Sequence, residues 1–293
     1  MALVLGLLTA LSYGIGDFLA GMVGRRMAPL AVALYSQLVG AAFMLVAALL
    51  FGGLPSTTML LWGAAAGAAM GFGFVVYFQA LTLGRMGIVA AVTGVWGAAV
   101  PFVFGLALGE RPSVWAMAGV ALVAVAIAVV SAGSPAAIPS HSLPPPGDVP
   151  RPRRRQLLGG GLTQATIAGV VFGLFFVFLD QADGGSPLWP ATAAVVASIV
   201  VVAGLVPIFR PVLRLGMRDL TVMTAVGACQ ALGTLLFIIA VREGLLSIVA
   251  VAAALSPVPT ALCARAFMGE RLTRWQFAGF TAAIAGVALI ALH

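Results

Sequence analysis

The chain has 293 residues, of which 62% are hydrophobic and only 8% are charged. A soluble domain carries roughly 25% charged residues, so this composition excludes an ordinary soluble protein. The net charge of +7 does not indicate a nucleic-acid partner, because all fifteen basic residues are Arg and they fall at the ends of apolar segments. We therefore expect an integral membrane protein whose surroundings are the lipid bilayer.

Apolar runs of about 20 residues recur along the chain, and each is long enough for one helix across the hydrocarbon layer. The predicted spans are residues 3–23, 30–51, 59–81, 87–108, 113–132, 161–180, 187–208, 220–240, 245–267 and 274–292. No positively charged region precedes the first run, so we expect it to stay in place as span one rather than serve as a cleaved signal peptide. Cys229 and Cys263 lie in different spans without disulfide or metal spacing, and no cofactor or metal is expected.

Residues 133–156 interrupt this pattern with seven Pro and four Arg residues. Such a composition is typical of an extended linker. The linker separates five spans from five. We assign residues 1–132 to a first five-helix repeat and residues 157–293 to a second.

The two halves are related in sequence at an offset of 160 residues. GERPSVWAMAG at 109–119 shares six residues with GERLTRWQFAG at 269–279, and the Ile-Val-Ala segment at 88–90 recurs at 248–250. This is an internal repeat. Because each copy has an odd number of spans, the second copy must cross the membrane in the opposite direction. We expect an all-α fold of ten membrane helices arranged as two inverted repeats.

The Arg distribution predicts the orientation. Loops after odd-numbered spans hold twelve Arg residues, whereas loops after even-numbered spans hold only Arg111 and Arg242. By the positive-inside rule, the odd loops and the 133–156 linker face the cytoplasm and both termini face outward, which we expect to be across the bacterial inner membrane. Inverted repeats are a recurring transporter design with the substrate near the midplane between the halves.

Three motifs carry a family resemblance. They are Tyr13-Gly14 in span one, the Gly-Glu pairs at 109–110 and 269–270 that close spans four and nine, and the Ser-Pro-Val-Pro segment at 256–259. In these the chain resembles the drug/metabolite transporter superfamily, specifically its ten-span EamA-like branch. Its length and its aromatic membrane residues look most like the bacterial exporters of the YddG type, which handle aromatic and other nonpolar amino acids.

The resemblance implies two pseudo-symmetric bundles around a cavity lined mainly by spans 1, 3, 4, 6, 8 and 9. One feature departs from symmetry. The first copy has Gly97 where the second has Pro257, and Pro101 follows one turn later. Spans four and nine therefore need not bend alike.

Asp17 is the first candidate for substrate binding, because a carboxylate within a membrane span is costly and needs a partner or a function. Tyr13 lies four residues earlier, so the two side chains share a helix face, and Gly14 allows another helix or a ligand to approach closely. One interpretation is that Asp17 binds a substrate ammonium or a coupling proton. The alternative is that it reaches water or Arg25 and Arg26 at the cytoplasmic end.

Aligning Tyr13-Gly14 with Phe172-Gly173 places Phe176 opposite Asp17, so the scaffold does not require an acid there. Other polar and aromatic residues within the spans are further candidates for lining the cavity. They are Tyr77, Gln79, Thr93, Trp96, Gln230, Thr234, Ser256 and Pro257.

Different properties favour these candidates. Tyr and Trp offer an apolar face with one polar handle, and Trp96 lies midway along its span rather than at the interface; core packing is the alternative. Gln230 and Thr234 form a polar pair at helical spacing. Pro257 frees a carbonyl about one turn earlier, a feature of broken helices at binding sites, although a simple kink satisfied by Ser256 or Thr260 is the alternative.

Glu110 and Glu270 recur at equivalent positions, each after a glycine, Gly109 or Gly269, at a predicted helix end. Helix ends need polar partners. A capping or conformation-locking role is therefore favoured over catalysis.

The sequence favours a secondary transporter that exports small amphipathic metabolites, first of all aromatic and nonpolar amino acids, by alternating access. A proton-coupled exporter of organic cations is the main alternative, because Asp17 suits an ammonium in either substrate; a non-transporting scaffold is a third.

An enzyme is not expected, since the chain has only two His residues, His141 in the linker and the terminal His293, and has no phosphate-binding loop. The expected partners are a small molecule and the bilayer, with no nucleic acid, and the chain is expected to work as a monomer.

Overall fold

Long apolar segments form helices in a membrane because each span must satisfy its own backbone hydrogen bonds. The structure, a computed structural model, describes residues 1–24, 27–83, 86–133, 154–182, 185–209, 216–268 and 274–291. Within these ranges the regular elements are all α-helices. They are α1 (Ala2–Gly24), α2 (Pro29–Phe51), α3 (Thr57–Leu83), α4 (Met86–Ala107), α5 (Val114–Gly133), α6 (Arg154–Asp180), α7 (Leu188–Phe209), α8 (Met217–Arg242), α9 (Leu246–Ala253), α10 (Pro257–Met268) and α11 (Arg274–Ala291).

The predicted all-α membrane fold is confirmed. Seven of the described segments are apolar and long enough to cross a membrane, and three shorter apolar stretches lie in α4, α5 and α11. Together they correspond to the ten predicted spans. The predicted linker lies mostly outside the described residues, and α6 already begins at Arg154, so this helix includes the last three residues of the predicted linker.

The ninth span is broken into α9 and α10. The backbone turns at residues 254–256, where the amide of Ser256 bonds to the carbonyl of Ala253 at 3.3 Å. Pro257 and Pro259 cannot donate a backbone hydrogen bond, so the α-helical ladder is interrupted there. In contrast, α4 continues as one helix through Pro101. Spans four and nine therefore differ, and the difference follows from having two closely spaced prolines in one copy only.

The packing of the helices follows an inverted two-fold pattern. α1 packs along α8, and its counterpart α6 packs along α3; α4 packs on α6 as α9 and α10 pack on α1. The pairs α2 with α7 and α5 with α11 join equivalent helices of the two copies. Each bundle is therefore built from both repeats. α1, α8, α9 and α10 form one, and α3, α4 and α6 form the other.

One end of the molecule is sealed by apolar packing. We call it the capped end; it carries the α4–α5 connection and the α8–α9 turn. Phe175, Phe237, Leu246 and Val249 belong to one core cluster there and are at most 4% exposed. The opposite end, which carries the α1–α2 and α3–α4 connections, is called the linker end.

Close packing of α3 on α7 makes a testable prediction about Gly67. A Cβ at this position would collide with the carbonyl group of Ala194. We expect Gly67→Ala to destabilise the protein by about 1–3 kcal/mol, as overpacking does in other cores. Gly204→Ala is the matched control, because a Cβ on Gly204 meets no atom within 4 Å. Thermal unfolding in detergent should show a lower midpoint for the first variant only, and equal midpoints would contradict this packing.

Candidate functional site

Hydrogen bonds connect α1 to α8 within the membrane. Ser12 Oγ donates to the carbonyl oxygen of Cys229 at 2.8 Å, and the Tyr13 hydroxyl lies 3.1 Å from Thr234 Oγ1. Thr234 donates its own proton to the carbonyl oxygen of Gln230 at 3.1 Å. Because a hydroxyl has only one proton to donate, Tyr13 must be the donor to Thr234. The Tyr13 ring is thereby fixed against α8.

Asp17 continues this network one turn further along α1. Gln230 Nε2 donates to Asp17 Oδ1 at 2.9 Å. Because residues four apart share a helix face, the pairs Tyr13–Thr234 and Asp17–Gln230 lie one helical turn apart along the α1–α8 contact. The structure thus brings together four of the residues that the sequence predicted separately. We refer to Tyr13, Asp17, Gln230 and Thr234 as the polar wall.

The Asp17 side chain faces open space, although it lies well inside the bundle. It is exposed, yet it lies seven residues, or roughly 10 Å along the helix axis, before the end of α1 at Gly24. Tyr77 on α3, in the other bundle, is close enough to interact electrostatically with it. The open space therefore lies between α1 and α3. No described residue forms a salt bridge with Asp17, and Arg25 and Arg26 lie outside the described residues.

Aromatic rings form the opposite side of this space. The Tyr77 and Phe172 ring centroids are 6.1 Å apart with an interplanar angle of 62°, and those of Phe74 and Phe172 are 5.5 Å apart at 72°. These edge-to-face contacts are a favourable arrangement of aromatic rings. We refer to Phe74, Tyr77 and Phe172 as the aromatic wall. The aromatic wall therefore belongs to the bundle of α3 and α6, whereas Asp17 belongs to the bundle of α1 and α8.

The break between α9 and α10 packs on α1 beside the polar wall. The Thr260 hydroxyl donates its single proton in a bond shared between the carbonyl oxygens of Gly14 at 3.0 Å and Ser256 at 2.9 Å. A Cβ on Gly14 would lie 2.6 Å from the Ser256 carbonyl oxygen and would also collide with Pro259. Gly14 therefore allows the broken span to contact α1. Ser256 takes part in this helix contact, and Pro257 begins α10; a direct role for either in substrate binding stays a prediction.

The structure does not place Thr93 and Trp96 on the polar wall. The Thr93 hydroxyl is buried between α4 and α6, where it donates to the carbonyl oxygen of Ala165 at 3.1 Å. Trp96 is 42% exposed and lies in an apolar groove whose described lining comes from α4 and α5, including Val92 and Ala128. Thr93 thus takes part in a helix contact and Trp96 in an apolar groove, and a role of either in substrate binding stays a prediction. The rotation of α4 is set by its close contacts with α6, which the apolar sequence of the helix did not reveal.

Three predicted residues cannot be placed. The side chain of Gln79 in α3, and Gly269 and Glu270 entirely, lie outside the described residues. Their roles stay predictions.

Glu110 links the two repeats at the capped end. Gly109 has a φ of +93°, a conformation that glycine adopts readily, and it ends α4 so that the chain turns back. The Glu110 carboxylate then accepts the backbone amides of Leu246 at 2.6 Å and Ser247 at 3.0 Å. The N-cap residue of α9, Leu245, provides no side-chain cap. A carboxylate of the first repeat therefore caps a helix of the second, where the helix dipole favours negative charge.

Sequence reasoning did not select the phenylalanines of the aromatic wall, nor Ser12. A signal for Phe172 was nevertheless present, because the alignment of the repeats places it opposite Tyr13. Two aligned aromatic residues facing one cavity could have been predicted from this equivalence. Nothing comparable identified Phe74, because a single phenylalanine in an apolar helix is indistinguishable from core packing.

Comparison with known proteins agrees with this architecture. One family model, described as the EamA-like transporter family, matches residues 1–132 and again residues 159–292. A solved crystal structure superposes with a TM-score of 0.78 at 17% sequence identity, covering 99% of this chain and 96% of that chain. This similarity supports the fold alone. A search of curated proteins found no significant match.

Membrane spans in two inverted copies, with a polar wall in one bundle and an aromatic wall in the other, define a multi-pass membrane protein of the transporter class. The chain belongs to the EamA-like transporter family, within the drug/metabolite transporter superfamily. Members of this family transport small solutes and are not enzymes. The resemblance to the EamA-like branch is therefore confirmed, whereas the closer resemblance to the YddG type stays a prediction.

Proposed function

We propose that this protein exports small amphipathic metabolites that carry an ammonium group, first of all aromatic and other nonpolar amino acids, by alternating access. The single observation that carries the proposal is the position of Asp17. Its side chain is exposed within the span, has no cationic partner among the described residues, and lies near enough to Tyr77 of the aromatic wall for the two to interact electrostatically. A substrate ammonium would supply the missing positive charge.

The charge of Asp17 is the first step of the argument. A carboxylate within a membrane span is costly unless it has a partner or contacts water. Gln230 holds Oδ1 in place, and a carboxylate can accept several further hydrogen bonds. The polar wall therefore orients an acceptor toward the cavity, and an ammonium group with three donors matches it.

The aromatic wall is the second step. Phe172 is held between Phe74 and Tyr77 by edge-to-face contacts. Rings fixed in this way provide an apolar surface for a nonpolar side chain and a favourable face for a cation. A substrate with an ammonium at one end and an apolar group at the other would contact both walls.

The Arg distribution supports the proposed direction of transport. It predicts that the linker end faces the cytoplasm, and the apolar packing of the capped end would then seal the outer side. In this conformation the substrate reaches Asp17 from the cytoplasm, which is the first step of export. Exchange of conformation between the repeats would then open the capped end.

An exporter of organic cations is a second candidate, and one observation favours it. An amino acid also carries a carboxylate, and the described residues around the polar wall include no Arg to pair with it. A simple cation needs only Asp17 and the aromatic wall. For an amino acid, the amides and hydroxyls of the polar wall would have to bind the carboxylate.

Counterflow in proteoliposomes tests both candidates. Vesicles loaded with unlabelled substrate would be offered labelled Phe, Leu, Thr or a quaternary ammonium compound. Accumulation of Phe and Leu above Thr supports the amino acid exporter, and accumulation of the quaternary compound alone supports the cation exporter. Accumulation of none of the four would contradict both proposals. Protein-free vesicles provide the background.

A further inference from the structure

The repeats relate two residue pairs that lie at opposite ends of the cavity. Alignment of α1 with α6 pairs Asp17 with Phe176, and alignment of α3 with α8 at the offset of 160 pairs Tyr77 with Phe237. The Asp17 and Tyr77 pair on α1 and α3 is therefore the inverted counterpart of the Phe176 and Phe237 pair on α6 and α8.

Packing of aromatic rings on glycines supports this equivalence in three dimensions. A Cβ on Gly233 would lie 2.5 Å from the Tyr13 ring, and a Cβ on Gly73 would lie 2.6 Å from the Phe172 ring. Gly73 and Gly233 are 160 residues apart, and the two rings belong to aligned positions of α1 and α6. The register of the sequence repeat is thus also the register of the structure around these pairs.

The Phe176 and Phe237 pair is closed in this structure. The ring centroids are 4.5 Å apart, and Phe237 is fully buried. The contact joins α6 of one bundle to α8 of the other, on the capped side of the cavity. It therefore lies where the two bundles must separate if the capped end opens.

We propose that Asp17 and Tyr77 form the gate of the linker end, as the counterpart of the Phe176 and Phe237 gate of the capped end. When the repeats exchange conformations, α1 and α3 approach each other as α6 and α8 do now. The phenol of Tyr77 then meets the carboxylate of Asp17. The gate itself does not depend on the nature of the substrate.

The chemical difference between the two gates has a functional consequence. Two phenylalanine rings can close against each other without any ligand, because only apolar surface is buried. A carboxylate that is enclosed by a phenol without a counter-ion pays a desolvation penalty. The linker-end gate therefore closes readily only when the charge of Asp17 is neutralised. If the proposed function is correct, the substrate ammonium does this, and loading of the substrate promotes closure behind it.

A single buried cysteine can report on the gates. Ser247 at the capped end is fully buried, and its hydroxyl has no partner among the described residues, so Ser247→Cys is a conservative change. The reporter is introduced into a background without native cysteines, Cys229→Ala/Cys263→Ala. A charged methanethiosulfonate reagent, applied at the capped end in the absence of any substrate, then labels the cysteine only when that end opens.

Neutralising the gate should open the capped end without substrate. In Asp17→Asn we expect labelling at least about fivefold faster than in the parent. A modest change in the free-energy difference between the conformations with the capped end closed and open shifts their populations by this factor. Asp17→Phe/Tyr77→Phe, which copies the phenylalanine pair, should also label faster. Tyr35→Phe is the matched control, since it removes a phenol that packs in a different cluster, and it should label at the parental rate.

Labelling at the parental rate in both gate variants would overturn the proposal. If the double variant does not fold, as judged by gel filtration, the labelling rate of Asp17→Asn alone tests the proposal. The assay contains no substrate, so its outcome is independent of the counterflow result. If counterflow fails but labelling is accelerated, the proposed substrates are rejected and the gate is retained. If counterflow succeeds but labelling stays at the parental rate, the gate alone is rejected.

Discussion

Replacing Asp17 by Asn should reduce counterflow of the transported substrate by at least about thirtyfold, because loss of one partner of an enclosed charge pair costs about 2–5 kcal/mol. The Asn side chain has nearly the same shape and can still accept the hydrogen bond from Gln230. The α1–α8 contact should therefore survive, and the loss should reflect the missing charge. The measurement is the initial rate of counterflow at a subsaturating substrate concentration.

Asp219→Asn provides the matched control for this variant. Asp219 lies in the first turn of α8 at the linker end, and its carboxylate lies near Gly216 rather than on the polar wall. It should retain the parental rate of counterflow. If both Asp17→Asn and Asp219→Asn keep the parental rate of counterflow, a substrate-binding role for Asp17 is contradicted. If both lose activity to the same extent, the loss reflects a general effect of charge at this end.

Glu110→Ala should have the second large effect, because it removes the cap of α9. The carboxylate accepts two amides, at 2.6 and 3.0 Å, from a helix of the other repeat. A hydrogen bond to a charged group contributes about 1.5–3 kcal/mol, so the closed capped end should lose stability by at least that amount. We expect about a tenfold or greater increase in the exposure of residues beneath the cap.

Val251 is a suitable reporter for this prediction. It lies one helical turn below Ser247, is 1% exposed, and packs in a cluster that includes Ala98 of the first repeat. In the background without native cysteines, Val251→Cys should be labelled faster in Glu110→Ala than in the parent. Glu243→Gln is the control, since Glu243 is exposed at the same end. Unchanged labelling in Glu110→Ala would show that its carboxylate does not hold the capped end closed.

Much of the fold could be predicted from sequence because membrane spans obey simple constraints. A span needs about 20 apolar residues, and five spans per copy force the second copy to be inverted. Two prolines in one span also indicated the break between α9 and α10. The Gly-Glu pair indicated a cap at the end of α4, but the helix that receives the carboxylate could not be named before the packing was known.

The site could be predicted only in part. Pairs spaced by four residues, such as Tyr13 with Asp17 and Gln230 with Thr234, must share a helix face, and the structure brings these two faces together. Thr93 could not be placed, because α4 is apolar on all sides and its sequence therefore carries little information about its rotation. That rotation depends on close helix contacts such as the one at Gly173, where a Cβ would lie 2.5 Å from Val100.

The central claim is that Asp17 faces water between the two bundles rather than lipid. Asp17 and Leu11 are both exposed residues of α1, and Leu11 is 46% exposed. A thiol reacts as the thiolate, which requires contact with water. In the background without native cysteines, Asp17→Cys should react rapidly with a charged thiol reagent applied at the linker end, whereas Leu11→Cys should remain unlabelled. Absence of labelling at position 17, or equal labelling at both positions, would contradict the account.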